Sequence, residues 1–112
     1  GEMLDVQMEA AAVRYVKEIK KSDIYKRYCY QLEKIKKSPE LYDKINEYRK
    51  KNYEMQSTTQ VDELFDKMDA FEREYEKFRE NPIVDDFLKA ELAFCRLMQE
   101  LETFVTQEID FE

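Results

Sequence analysis

Residues 81–108 read NPIVDDFLKAELAFCRLMQELETFVTQE, and this stretch decides the fold. Asn81 is a helix-capping residue and Pro82 suits the first helical position, where its missing N–H costs nothing. Asp85 and Asp86 follow in the first turn, where the helix dipole favours acids. Ile83, Phe87, Ala90, Phe94, Leu97, Leu101 and Phe104 then recur three or four apart, the period of one helix face. Val84, Leu88, Cys95, Met98 and Val105 form a neighbouring row. A two-row face is broader than a coiled-coil seam, so this helix should meet more than one neighbour. About 27 residues of helix run about 40 Å, whereas a compact domain of this length is about 35 Å across. Either the molecule is elongated or a second chain covers the protruding stripe, because exposed apolar stripes of that extent mark interfaces. The expectation is an all-α fold of elongated antiparallel hairpins whose core is completed by dimerisation. Ile83, Phe87, Phe94, Met98, Leu101 and Phe104 are the candidate interface residues.

Working upstream, the same punctuation recurs. Ser38-Pro39-Glu40 sets a cap, a first-turn proline and a first-turn acid in order, and each proline disfavours helix in the residue before it. Ser22-Asp23 can cap a helix entering Ile24-Tyr25, and Ser57-Thr58-Thr59 offers a cap before Val61-Asp62-Glu63. Five helices follow, roughly 4–21, 23–37, 39–56, 60–80 and 82–108. The first two read as nearly continuous, since Lys20-Lys21-Ser22 holds no strong breaker. Their apolar stripes are Met8, Ala12, Tyr15, Ile19; then Tyr25, Tyr28, Leu32, Ile35; then Leu41, Ile45, Tyr48, Asn52, Met55; then Val61, Leu64, Met68, Phe71, Tyr75, Phe78. Glu33/Lys37, Glu40/Lys44, Glu47/Lys51 and Glu63/Lys67 are four-apart pairs that mark the wet sides.

The chain of 112 residues is read as one helical domain spanning 1–112, with 1–3 as a disordered tag scar and 109–112 as a frayed tail. Its only glycine is Gly1 and it has no histidine. That excludes glycine-rich phosphate loops and every mechanism needing imidazole. The net charge of −7 is uneven: residues 1–56 carry 13 basic and 10 acidic side chains, and residues 57–112 carry 6 and 16. A net acid is repelled by phosphates, so a protein partner is favoured over naked nucleic acid. No apolar run reaches the 18 or so residues of a membrane span, and no signal peptide is recognisable. The expected location is the cytoplasm.

Candidate chemistry is sparse. Asp69, Glu72, Glu76, Glu80 and Glu91 have helical spacing, but di-iron bundles add Glu-x-x-His motifs that are missing, so a solvated acidic face is expected. Lys34, Lys36, Lys37, Arg49, Lys50 and Lys51 form a candidate basic patch with tyrosines interleaved, a vocabulary that also serves single-strand RNA contact. Cys29 and Cys95 lack an activating base and are expected to be reduced and buried. The chain is therefore expected not to be an enzyme.

The run Ile19 to Tyr28, the segment Ser38-Pro39-Glu40-Leu41 with Ile45, Tyr48, Arg49 and Lys50, and the stretch Asn81-Pro82-Ile83-Val84 with Phe87-Leu88-Lys89-Ala90-Glu91 together resemble the YlbF/YmcA family over about residues 5–108. The resemblance implies a small, cytoplasmic, all-helical bacterial protein that associates with itself or with related subunits. It also implies regulation of competence, sporulation and biofilm formation, in a complex that supports an endoribonuclease in messenger-RNA processing without itself cutting RNA. Iron–sulfur clusters accompany that complex. This chain departs from the pattern, with no cysteine from Phe104 to Glu112, so no cofactor is expected. The leading expectation is a non-catalytic oligomeric adaptor with a homo-oligomer, related subunits or a ribonuclease as partners. The rivals are an RNA-binding module using the basic half, a family member with no RNA-related role, and a metal or cluster protein joining Cys29 and Cys95 across a dimer.

Overall fold

Side-chain caps at Asp5, Ser22 and Asn81 open three of the helices. The computed structural model describes residues 4–58 and 60–110. Within them lie α1 (Val6–Lys21), α2 (Asp23–Lys36), α3 (Pro39–Thr58), α4 (Val61–Glu74), α5 (Glu76–Glu80) and α6 (Pro82–Ile109), with no strand among the described residues. The protein is all-α. The Asp5 carboxylate accepts from the Met8 N–H at 2.7 Å and starts α1. Ser22 separates α1 from α2 by one extended residue. Its hydroxyl donates to the Ile19 carbonyl at 2.6 Å and accepts from the Tyr25 N–H at 3.1 Å, so one side chain ends one helix and opens the next. The near-continuity of these two helices is thus interrupted by a capping serine rather than by a helix breaker. Asn81 Oδ1 accepts from the Ile83 N–H at 3.0 Å and caps α6.

Two boundaries differ from the sequence reading. Ser57 and Thr58 belong to α3, Thr59 lies outside the described residues, and Gln60 precedes α4 without a side-chain cap bond. The helix expected over 60–80 is divided at Tyr75, whose backbone sits at φ −105°, ψ 9°. The Tyr75 N–H still reaches the Phe71 carbonyl at 3.1 Å, so the axis is interrupted without losing that bond. The tyrosine ring is 1% exposed, and the interruption coincides with the most enclosed side chain of the segment. The tag scar expected at 1–3 and the last residues of the frayed tail at 109–112 lie outside the described residues, while Ile109 is still helical.

Contacts divide the chain into two units, Gly1–Tyr30 with Ala90–Glu112, and Gln31–Lys89. In the first, α1 and the start of α2 run antiparallel to the second half of α6. The Tyr28 and Tyr25 rings lie 5.3 and 5.4 Å from Phe94, and Tyr15 and Ile19 share a groove with Leu97 and Leu101. In the second unit α3 and α4 form an antiparallel pair, with Tyr48 centred 5.1 Å from Phe71 and 5.2 Å from Tyr75. Ile35, Ile45, Tyr75, Val84 and Phe87, each at most 2% exposed, are the core of this unit.

Candidate functional site

The distribution of apolar exposure singles out the first unit. Of sixteen large apolar side chains exposed among the described residues, thirteen belong to it and only Tyr53, Val61 and Phe65 to the other. No residue of α1 is buried. Burying such surface is worth about 25 cal/mol per Å², so a helix that leaves Val6, Val13 and Val16 wet retains unused binding energy. The clearest strip is on α1 itself, where Ala12, Val13 and Val16 line a shallow surface edged by Glu9, Lys17 and Lys20. Val13 and Val16 are 48% and 45% exposed. The strip lies beside the Met8, Ala12, Tyr15, Ile19 stripe and is not part of the single apolar row the periodicity predicts. The signal was a second row, Val13 and Val16, three apart.

The six candidate interface residues on α6 fall into different settings. Phe87 is buried in the second unit, with the Arg49 guanidinium 5.5 Å above its ring. Ile83, in the same unit, is half-buried. In the first unit Phe94 is sandwiched with Tyr25 and Tyr28, and Leu101 lines the groove against α1. Met98 and Phe104 are exposed, Phe104 to 60%.

The candidate basic patch is largely engaged. Lys51 donates to Glu74 at 3.1 Å and pairs with Glu47 at 3.0 Å. Lys51 holds the Glu47 carboxyl below the ordinary carboxylate range, and Glu47 and then Glu74 hold the Lys51 ammonium above the ordinary lysine value. Arg49 donates to Asn46 at 3.2 Å, and Lys36 lies 5.9 Å above the Tyr42 ring. Lys37 and Lys50 are exposed and Lys34 is half-buried.

Four of the candidate carboxylates, Asp69, Glu72, Glu76 and Glu80, line one open groove of about 600 Å³ with Asp85, and Arg73 and Arg79 line it with them. Glu91 belongs to the other unit. No group of three or more Cys, Asp or Glu side chains among the described residues is arranged to hold a metal ion. Cys29 is half-buried and Cys95 exposed, both as free thiols, which corrects the expectation that both would be buried. A hydrogen bond with Cys29 raises the Tyr25 hydroxyl above its ordinary value. No helix among the described residues is long and apolar enough to cross a membrane.

A family model described as control of competence regulator ComK, YlbF/YmcA, matches residues 8–110. The chain belongs to the YlbF/YmcA family. The match runs from the first turn of α1 to the residue after α6, so it takes in both units. No curated protein and no solved structure matched the chain. The YlbF/YmcA description names a regulatory role, control of a competence regulator, and no reaction.

Proposed function

We propose that the chain is a non-catalytic helical adaptor of the cytoplasm that regulates by assembling, with itself or with related subunits, into a complex that supports a ribonuclease in messenger-RNA processing. The observation that carries the assembly is the concentration of exposed apolar side chains on the first unit. Membership of a family described by regulatory control supports the rest. Three side chains of the basic patch, Lys51, Arg49 and Lys36, are engaged with Glu47 and Glu74, with Asn46 and with Tyr42, which favours proteins as the direct partners. Iron–sulfur or metal binding has no part in this reading.

Two measurements test it. Light scattering coupled to size exclusion should return a mass above that of one chain at tens of micromolar. Capture of the tagged protein from its source organism should retain a ribonuclease and a related helical subunit, at stoichiometric rather than trace levels. A chain that stays monomeric and retains neither would refute the proposal.

A further inference from the structure

The strip on α1 carries a charge order along its length. Read in helical steps of four, three and four, it runs Glu9, Val13, Val16, Lys20, flanked by Ala12 and Lys17. This is the spacing of a two-helix seam, with valines in the middle and opposite charges at the ends. The whole of α1 follows the same order. Asp5 at its cap and Glu9 are its acids before residue 10, and Arg14, Lys17, Lys20 and Lys21 oppose Glu18 alone after it. The strip is distinct from the Tyr15 and Ile19 positions, which line the groove facing Leu97 and Leu101 of the same chain.

A partner for this strip must be apolar at its centre, basic beside Glu9 and acidic beside Lys20. A second α1 laid antiparallel meets all three conditions. Centred between Val13 and Val16, it sets Glu9 of each copy beside Lys20 of the other, and Val13 beside Val16. A parallel copy would set Glu9 on Glu9 and Lys20 on Lys20, and like charges at such close quarters oppose association. We infer that α1 is a self-recognition helix, which joins a second copy of this chain antiparallel through the Val13–Val16 seam. This deepens the assembly reading above and rests on it. From Glu9 to Lys20 the helix offers about 18 Å of seam, the small end of specific interfaces, so a weak, concentration-dependent dimer is expected.

The test compares Glu9→Lys, Lys20→Glu, the double variant Glu9→Lys/Lys20→Glu, and Val16→Asp by analytical ultracentrifugation, with circular dichroism to check helicity. Each single reversal turns two attractive contacts per dimer into repulsive ones and should weaken the dimer about tenfold at low salt. The double variant should restore it, and so should a one-to-one mixture of the two single variants. Val16→Asp should weaken it more than tenfold at unchanged helicity. If every variant, like the parent, is monomeric, this inference and the assembly reading both fall. If all four assemble as the parent does, or if the double variant and the mixture stay weak, the antiparallel α1 pairing alone is overturned.

Discussion

At the scale of single residues, Tyr75 sets the character of the second unit. Its ring is 1% exposed and touches Tyr48, Phe71 and Phe78, with centroids 5.2, 4.9 and 5.9 Å away. Its hydroxyl is buried near Lys51 and Glu47 but makes no regular hydrogen bond among the described residues. Burial is the main reason its pKa is raised. A buried hydroxyl left without a partner costs its desolvation, about 1–3 kcal/mol, with no bond to offset it. Tyr75→Phe should therefore leave stability within about 1 kcal/mol of the parent, or raise it, whereas Tyr75→Ala should cost about 3–5 kcal/mol through the cavity it opens. Urea denaturation of the two variants checks this, and a large loss on Tyr75→Phe would show that the hydroxyl is bonded. The Glu47–Lys51–Glu74 cluster makes a pH prediction. A carboxyl held low stabilises above its ordinary value near about 4.3 and loses that contribution as pH falls through the folded value. Lys51, held high, contributes below about 10.4 and loses it as pH rises through its raised value. Carbon-detected NMR titration should find the Glu47 midpoint below the ordinary value, returning upward in Lys51→Met.

At the scale of elements, caps carry the boundaries. Ser22 and Asn81 each hold the N–H of a first-turn residue, so Ser22→Ala and Asn81→Ala should each cost about 1 kcal/mol. Amide exchange should quicken at Tyr25 in the first variant and at Ile83 in the second, and equal protection in parent and variant would count against the caps. Both caps were legible in the sequence because a Ser or Asn before a helix acts through bonds two or three residues away. Gln60 was not legible for the converse reason: it begins α4 with no side-chain bond at all. The interruption at Tyr75 was equally hidden. Val61, Leu64, Met68, Phe71, Tyr75 and Phe78 keep one unbroken rhythm, and a 3–4 period records which side of a helix is apolar without recording where the axis bends. At the end of α6, Asp110 adopts a positive φ of 58°, a conformation aspartate tolerates better than most residues, so a chain whose only glycine is Gly1 can still turn out of a helix there.

At the scale of the whole molecule, the two units divide the labour. The second holds the aromatic core and the first holds most of the exposed apolar surface. If that surface is buried by association, binding to the folded state raises its apparent stability by mass action. The thermal midpoint followed by circular dichroism should therefore rise as the chain is taken from about 1 to about 100 µM. The rise should be smaller in Phe104→Ser, which removes a side chain 60% exposed in the single chain. A midpoint independent of concentration would show that the first unit completes itself.

The sequence by itself determined the all-α class, the order of the helices, the caps at Ser22 and Asn81 and membership of the YlbF/YmcA family, all of which depend on residues close together in the chain. Only the tertiary structure decided depth. Phe87 and Phe104 lie on the same stripe of α6, yet one is 1% exposed under Arg49 and the other 60%. Periodicity assigns both to one face, but burial needs a neighbour opposite, and whether one stands there depends on distant segments. The same reason kept Val13 and Val16 out of sight. Tyr15 and Ile19 line the groove toward α6, and that packing leaves the Val13–Val16 row facing water.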